Sequence, residues 1–323
     1  MKASLVSCLS WAALALGAPS ACKRAVSNDQ LDNFKLYAQW SSAAYCNHEK
    51  APGQPVTCQA DRCPTILAHN ATVVASFTGS ILDTRGFVGV DPVDQLIVLS
   101  FRGSSSIENW IANLLFAQVP CDLVDGCLVH AGFYASWGEV ASEALAAVQA
   151  AKAANPSYRV VVTGHSLGGA IGTLAVAYVR RAGIEADLYT YGSPRVGNTA
   201  FVRHVTDQPG VEARLTHDDD PVPRLPPMIA NYRHTSPEYW FDPGSDGAVA
   251  TGEIKVCTGF ASIACNGGTL GLNVDDHTWY FQELGGCSGA AKVRATLSHE
   301  ELEAKVNLLA ELDKEAAPTF QDE

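Results

Sequence analysis

One turn motif, Gly164-His165-Ser166-Leu167-Gly168, constrains the fold of this chain more than any other feature. It matches the pattern G-x-S-x-G. It follows an apolar segment rich in strand formers, Tyr158–Thr163, and it opens a helix-forming segment, Leu167–Arg181. The serine of this pattern occupies a tight, strained turn that holds its hydroxyl clear of the backbone, and the glycines allow strand and helix to pack closely. The sequence therefore predicts that Ser166 is a nucleophile at the end of a buried strand.

Strand and helix patterns alternate on both sides of this motif. Apolar spacing predicts helices at Gln30–Tyr45 and Trp137–Ala154, and strands at Leu96–Phe101 and Ala186–Tyr191. This alternation is typical of an α/β fold with a central, mostly parallel sheet and helices on both faces. The Asp- and Pro-rich stretch Asp207–Pro227 is predicted to be loop. No internal repeat or long linker is visible, and 323 residues are enough for one domain with a substantial core.

Composition and charge narrow the class of partner. Hydrophobic residues make up 47% of the chain and charged residues 17%, which is typical of a globular protein. The formal net charge of −12 argues against nucleic-acid binding, which needs clustered Lys and Arg, and against strongly anionic membranes. The sequence determines no oligomeric state, and a monomer is the default expectation.

The N-terminus has the pattern of a secretory signal. A short basic start at Lys2 precedes the apolar run Leu5–Leu16, and the small residues Gly17 and Ala18 suit a cleavage site. The run is too short for a transmembrane segment. We expect residues 1–18 to be a signal peptide and residues 19–24 a short propeptide ending in Lys-Arg. The mature domain would then span residues 25–287, and the protein would be secreted and extracellular.

Eight cysteines remain after this processing, and an even number in a secreted chain suggests disulfides. Three pairs are close in sequence and would close small loops: Cys58/Cys63, Cys121/Cys127 and Cys257/Cys265. Cys46 and Cys287 would then tie the two ends of the domain together. This is the simplest of many pairings. A zinc site is the alternative, but the sequence lacks paired C-x2-C spacing with nearby histidines, so we expect no metal.

The partners of Ser166 should follow it in the sequence, first an acid and then a histidine. Five histidines lie downstream: His204, His217, His234, His277 and His299. His277 is favoured because the base should lie late in the chain, while His204 falls on a polar helix and His299 in a charged tail. His234 is a rival. For the acid, Asp218, Asp219 and Asp220 are adjacent, and spacing alone does not choose among them. Three adjacent acids also fit a solvated loop or a weak calcium site.

The chain resembles the filamentous-fungal lipases of the class 3 family. The resemblance runs from about Leu31 to Cys287. Its most specific segments are Phe101-Arg-Gly-Ser-Ser-Ser-Ile-Glu-Asn-Trp-Ile111, Val162-Thr-Gly-His-Ser-Leu-Gly-Gly-Ala170, Tyr191-Gly-Ser-Pro-Arg-Val-Gly-Asn198, Asp220-Pro-Val-Pro-Arg-Leu-Pro-Pro227 and Ser236-Pro-Glu-Tyr-Trp240. The resemblance implies an α/β-hydrolase fold in a single domain with a short helical lid.

The resemblance also implies residue roles. In that family the catalytic Asp precedes V-P-R-L-P-P after one residue, which selects Asp220, and the His stands just before the W-Y-F run, which selects His277. The oxyanion donors would be Leu167, directly after the nucleophile, and Ser104, after F-R-G. The family's three disulfides would map to Cys46–Cys287, Cys58–Cys63 and Cys121–Cys127, and Cys257–Cys265 would be an additional bridge.

The segment after Ser104 has the pattern of an amphipathic helix. Five apolar residues fall on one helical face: Ile107, Trp110, Ile111, Leu114 and Leu115. Periodicity alone favours an ordinary core-facing helix. The position after the oxyanion residue and the resemblance instead favour a mobile lid that covers the active site and opens at a lipid–water interface.

These features together predict a secreted lipase that hydrolyses acylglycerol esters at a lipid–water interface through an acyl-enzyme, without metal or organic cofactor. A soluble carboxylesterase of the feruloyl-esterase type is the alternative, since such enzymes share the fold and triad but have a more polar lid segment. A non-catalytic lipid-binding protein would be expected to lack Ser, Asp or His. Nothing in the sequence suggests a peptide-binding site.

Two further sequence features are not part of the predicted catalytic site. Asn70-Ala71-Thr72 is an N-glycosylation sequon, so we expect a glycan on Asn70. Residues 288–323 extend beyond the family pattern, with a capping box at Ser298 and Glu301 and an apolar stripe that predict a helix. That helix fits three roles equally: a C-terminal propeptide, a helix docked on the domain, or a contact for a partner.

Overall fold

A computed structural model describes residues 26–60, 62–104, 106–242, 248–287 and 297–320. The predicted signal peptide and propeptide, residues 1–24, lie outside these residues. Among the described residues, no helix is both long enough and apolar enough to cross a membrane.

The described residues form α-helices and β-strands that alternate along much of the chain. The helices are α1 (Asn28–Asn47), α2 (Pro64–Ala68), α3 (Ile107–Asn113), α4 (Ala131–Ala154), α5 (Leu167–Arg181), α6 (Thr199–Thr206), α7 (Val274–Thr278) and α8 (His299–Ala316). The strands are β1 (Thr72–Thr78), β2 (Arg85–Asp91), β3 (Leu96–Phe101), β4 (Gln118–Pro120), β5 (Leu128–His130), β6 (Arg159–His165), β7 (Ala186–Tyr191), β8 (Glu212–His217), β9 (Glu238–Phe241) and β10 (Lys255–Cys257).

Eight of these strands form one sheet in the order β1-β2-β3-β6-β7-β8-β9-β10. The pairs β3–β6, β6–β7, β7–β8 and β8–β9 are parallel. The outer pairs, β1–β2, β2–β3 and β9–β10, are antiparallel. A parallel sheet must be covered on both faces, and every residue of β3 is buried accordingly. Helix α1 covers one face of the sheet, and α4 and α5 cover the other. The predicted α/β-hydrolase fold with a mostly parallel sheet is confirmed.

The strand register brings four strand ends to one edge of the sheet. Phe101 pairs with Gly164, His165 with Tyr191, and Tyr191 with Leu215. The carboxyl ends of β3, β6, β7 and β8 therefore meet, and the loops that follow them converge. Ligands of open α/β sheets bind at this edge.

The prediction of loop throughout Asp207–Pro227 is wrong, because β8 lies inside it. Every residue of β8 is buried, including the charged Glu212 and Arg214. Each has a buried partner: Glu212 accepts from Arg180 Nη1 at 2.8 Å, and Arg214 Nη2 donates to Glu238 at 3.0 Å. Charged residues are usually exposed, so a buried strand with paired charges is not recognised from its sequence pattern.

Four disulfides join the eight cysteines of the described chain. They are Cys46–Cys287, Cys58–Cys63, Cys121–Cys127 and Cys257–Cys265, which are the expected pairs. The first spans 241 residues of sequence and ties the end of α1 to the end of the domain. Cross-links over such long loops restrict the unfolded chain most strongly.

The described residues of the C-terminal segment, 297–320, form a helix that packs on the domain, an arrangement that fits both a docked helix and a C-terminal propeptide. The predicted capping box is present, with Ser298 Oγ accepting from Glu301 N at 3.2 Å. Leu302 and Val306 are fully buried against the domain. Near the other end of α8, Asp313 accepts a hydrogen bond from the guanidinium of Arg195 at 2.8 Å, and both side chains are buried. The docking therefore combines an apolar contact with a buried ion pair.

Asp313→Ala should destabilise the protein, because it leaves Arg195 buried without its carboxylate. Removing one member of a buried ion pair costs about 3–5 kcal/mol of unfolding free energy. Urea unfolding measures this loss. The matched control is Glu311→Ala on the exposed side of the same helix, which should change stability by no more than about 0.5 kcal/mol. Equal effects of both changes would show that the ion pair adds nothing to docking.

Candidate active site

The turn at Ser166 has the strained geometry that the sequence motif predicts. Ser166 has φ 58° and ψ −130°, and its backbone N–H donates to Tyr191 O at 2.9 Å. A Cβ on Gly164 would lie 2.3 Å from Gly168 O, and one on Gly168 would lie 2.2 Å from Phe101 O. Neither position accepts a side chain, so both glycines are needed for β6, α5 and β3 to meet at the turn. The serine hydroxyl is thereby fixed at the convergent edge of the sheet.

Asp220 and His277 lie together at the same edge. His277 Nδ1 is 2.9 Å from both Asp220 carboxylate oxygens, and both side chains are fully buried. Because a carboxylate accepts, Nδ1 carries the proton and Nε2 presents a lone pair. Gly192, with φ +56°, leaves room for the pair, since a Cβ there would lie 2.7 Å from Asp220 Oδ2. The arrangement sets the tautomer that a general base requires.

Two buried atoms at this site lack a hydrogen-bond partner among the described residues: Ser166 Oγ and His277 Nε2. A buried polar atom without a partner costs about 1–3 kcal/mol. They belong to the residues that the sequence predicts as nucleophile and general base. Such a cost persists where chemistry uses the groups. Their unpaired state supports a role in reaction and not in packing.

Two tyrosines and a second histidine hold the site in place, and sequence reasoning did not find them. Tyr280 O–H donates to Asp220 Oδ2 at 2.5 Å. His165 Nε2 lies 2.7 Å from His277 O, and His165 Nδ1 lies 2.9 Å from Tyr45 Oη. A carbonyl only accepts, so His165 donates through Nε2, and its Nδ1 accepts a hydrogen bond from the Tyr45 hydroxyl. The network fixes both the carboxylate and the backbone of His277.

Burial disfavours the charged forms of His165 and Tyr280. Burial, with the nearby imidazole of His277 next in importance, lowers the pKa of His165 to about 3. Burial, with the negative charge of Asp220 next in importance, raises the pKa of Tyr280 well above its usual value. Both groups are therefore neutral hydrogen-bonding partners at neutral pH.

The rival candidates from the sequence have other roles. His234 is buried with Nε2 2.7 Å from Pro223 O, so it is structural. His204 lies on α6, as expected from its polar surroundings. Asp218 and Asp219 are partly exposed, whereas Asp220 is buried at His277. The structure thus brings Asp220, and not its neighbours, to His277.

The two expected oxyanion donors lie on two segments that meet near Ser166, the start of α5 and the loop after β3. Leu167 is the first residue of α5, where backbone N–H groups have no acceptor within the helix and the helix dipole is positive. Ser104 follows β3, whose last residue pairs with Gly164 in β6. A Cβ on the intervening Gly103 would lie 3.0 Å from Ser166 Cβ, which shows how closely the two loops approach.

Trp110 of helix α3 lines a cavity at this edge together with Leu167, but the five apolar residues predicted to share one helical face do not share one environment. Ile111 is fully buried, while Trp110 is partly buried and stacks on Phe133 with ring centroids 6.3 Å apart. Leu114 and Leu115 lie beyond the end of the helix, and Leu115 is 75% exposed. Ile107 packs at the edge of the cluster that contains Ile111. The predicted stripe is therefore shorter than expected and ends with the helix at Asn113.

The C-terminal helix α8 holds one side of α3. Ile111 shares an apolar cluster with Leu302 and Val306. Lys305 Nζ donates to the carbonyls of Ile111 and Ala112 at 3.1 and 3.2 Å. These are carbonyls in the last turn of α3, where a cation is favourable. Any displacement of α3 must break these contacts or carry α8 with it.

The other side of α3 borders an apolar cavity of about 320 Å³. Its walls include Leu82, Trp110, Leu114, Phe133 and Leu167. Leu167 places the cavity next to the nucleophile. A space of this size with apolar walls suits a hydrocarbon chain.

Two other sequence features lie away from this edge. Asn70 is exposed at the turn that precedes β1. His69, Asp91 and Asp94 form the group of potential metal ligands found among the described residues, with ligand atoms within 4.8 Å of one another. His69 Nδ1 is 2.9 Å from Asp91 Oδ2, and Asp91 also accepts from Val93 N and Asp94 N, so hydrogen bonds within the turn account for this group.

Comparison with known proteins identifies related sequences. A family profile described as Lipase (class 3) matches residues 98–230. The secreted mono- and diacylglycerol lipase 1 of Fusarium solani is 50% identical over 292 residues, which are 90% of this chain and 88% of that protein. The secreted mono- and diacylglycerol lipase A of Penicillium cyclopium is 40% identical over 268 residues, 81% of this chain and 88% of that protein.

Solved structures show the same similarity in three dimensions. A crystal structure of a mutant form of the Penicillium cyclopium protein has a TM-score of 0.75 at 40% identity, covering 80% of this chain and 97% of that chain. The mono- and diacylglycerol lipase of Aspergillus oryzae has a TM-score of 0.76 at 38% identity, covering 79% and 97%.

Asp220→Asn should lower kcat for ester hydrolysis about 10⁴-fold, because an amide no longer fixes the His277 tautomer. Hydrolysis of a soluble p-nitrophenyl ester by purified protein measures the loss. Asp218→Asn is the matched control, since that side chain is two residues away and partly exposed, and it should keep activity within about tenfold. If the two variants lose activity equally, Asp220 is not the acid of the site.

Proposed function

The chain belongs to the class 3 lipase family, and we propose that it is a secreted acylglycerol lipase in which Ser166, His277 and Asp220 form the catalytic triad. As a member of that family it is a carboxylic ester hydrolase. Its relatives named as secreted mono- and diacylglycerol lipases support partial acylglycerols as the substrate class. Four disulfides support an oxidising, extracellular destination.

The proposed reaction begins with proton transfer from Ser166 Oγ to His277 Nε2 as the oxygen attacks the ester carbonyl. Asp220 holds the imidazole through Nδ1 and stabilises its charged form. His277 then protonates the leaving glyceride oxygen, and an acyl-enzyme remains on Ser166. Water, deprotonated by the same imidazole, attacks the acyl-enzyme and releases the fatty acid.

The backbone N–H groups of Ser104 and Leu167 are the proposed oxyanion hole. The tetrahedral intermediate places its negative oxygen between the loop after β3 and the start of α5. Preorganised donors stabilise that oxygen without reorganising during the reaction, and each is worth about 100- to 1,000-fold in kcat. The acyl chain would lie in the cavity beside Leu167.

One observation favours a lipase over a soluble esterase: Ser166 is fully buried, and Trp110 of α3 lines the apolar cavity beside it together with Leu167. Substrate therefore reaches the serine only if a neighbouring segment moves, and α3 is the segment at the cavity wall. Moving it exposes apolar side chains, which water disfavours and a lipid surface favours at roughly 25 cal/mol per Å². We propose that α3 is the lid and that the lipid surface stabilises its open position.

Ser166→Ala tests the nucleophile. Because a triad member is lost, it should reduce hydrolysis of dioleoylglycerol, monoolein and p-nitrophenyl butyrate at least about 10³-fold. The melting temperature should stay unchanged.

The same substrate panel, extended by triolein and methyl ferulate, tests substrate class on the unaltered protein. Preferential turnover of methyl ferulate would replace the lipase assignment by that of a feruloyl esterase.

Trp110→Ser tests the lid. It removes the largest apolar contact of α3, worth about 2–3 kcal/mol when buried in lipid. Turnover of emulsified dioleoylglycerol should therefore fall at least tenfold more than turnover of p-nitrophenyl acetate. Trp110→Phe is the matched control and should retain most emulsion activity. A parallel loss on both substrates would make α3 an ordinary core helix.

A further inference from the structure

The loop between β1 and β2 carries exposed aliphatic side chains at the mouth of the active-site cavity. Ile81 is 84% exposed and Leu82 is 44% exposed. Leu82 also lines the cavity beside α3, together with Leu115, which is 75% exposed. These three residues are among the large hydrophobic side chains that the described part of the chain leaves in solvent. The β1–β2 tip is thus continuous with the substrate cavity.

Hydrogen bonds hold this tip in a fixed position. The Glu139 carboxylate on α4 accepts from Ile81 N at 3.0 Å and from Leu82 N at 3.1 Å. Gly79 makes room for that carboxylate, because a Cβ there would lie 2.0 Å from Glu139 Oε2. The next residue, Asp83, accepts from Arg102 at 2.8 Å, and Arg102 directly precedes Gly103 and Ser104. The loop is therefore fastened to the helix layer and to the strand end that leads to the oxyanion loop.

We propose that Ile81 and Leu82 form a permanent lipid-contact tip, which binds the surface of an uncharged acylglycerol phase while Ser166 is still buried. The proposal rests on the lipase function. It adds a contact that needs no conformational change, because both side chains are exposed when Ser166 is fully covered. Leu115 provides a second contact across the cavity mouth.

The substrate and the charge of the protein favour this occupant. Acyl chains that enter the cavity come from the lipid phase, so the mouth must face that phase. Residues exposed around the mouth are therefore the first to meet it. The net charge of −12 disfavours an anionic surface, which leaves an uncharged lipid layer. Binding then depends on apolar contact, which a rigid tip provides without ordering a loop.

The test measures binding without hydrolysis, in a Ser166→Ala background. Ile81→Ser should lower the fraction of protein bound to a sonicated triolein–phosphatidylcholine emulsion, measured by flotation, by about tenfold in partition coefficient. Ile81→Leu should restore binding, since it keeps the apolar surface. The matched control is Val93→Ser. Val93 is 60% exposed and lies in the β2–β3 turn at the opposite edge of the sheet. Val93→Ser should leave binding unchanged.

Three outcomes would overturn the proposal. The first is equal binding by Ile81→Ser and Val93→Ser proteins. The second is failure of Ile81→Leu to restore binding. The third is a dimer in sedimentation that Ile81→Ser dissociates, which would assign the tip to a second copy of the chain. With Ser166 intact, Ile81→Ser should keep its rate on p-nitrophenyl acetate. Failure of the lipid-contact proposal is thus distinguishable from failure of the proposed lipase function. Failure of the lipase function would appear as an absence of acylglycerol turnover by the unaltered protein.

Discussion

Close backbone contact at the carboxyl end of β6 is the constraint on which the site depends. Ser166 turns from strand to helix with a positive φ, and Gly164 and Gly168 leave no space for a side chain where β6, β3 and α5 meet. Strain of this kind costs about 1–3 kcal/mol and persists only where surrounding structure fixes it. Here five parallel strands and the helices on both faces supply that support. The nucleophile and the start of α5 therefore hold a single geometry.

Hydrogen bonds extend this rigidity from the turn to the proposed base and acid, His277 and Asp220. Tyr45, on α1, reaches His165 beside the nucleophile, and His165 in turn holds the carbonyl of His277. Tyr280 and Gly192 then fix the position of the Asp220 carboxylate, one by a hydrogen bond and the other by lacking a side chain. Because these groups are buried, competing water does not weaken their hydrogen bonds. The helix that covers one face of the sheet thus contributes directly to the geometry of the base.

The sequence predicts the elements around Ser166 well, because a continuous apolar strand and a glycine-flanked serine are local signals. The bounds of β3, α5 and β7 agree with those expected. Spacing did not choose the acid, since three adjacent aspartates differ only in their tertiary surroundings, and the family resemblance selected Asp220. Strand β8 was missed because its charges are paired across elements that lie far apart in the chain. Tyr45 and Tyr280 gave no signal, since a buried tyrosine that packs and one that donates to the site look alike in sequence.

Segment 107–115 shows why periodicity cannot separate a helix that covers a site from a core helix. Both need an apolar face of the same spacing, and α3 uses its face in two directions, with Trp110 toward Phe133 and Ile111 toward α8. What distinguishes α3 is the apolar cavity that Trp110 lines together with Leu167, the residue after a fully buried serine. The hydroxyl of that serine has no hydrogen-bond partner in the described part of the chain. Under the proposed function, movement of α3 at a lipid surface opens the site where its substrate is concentrated.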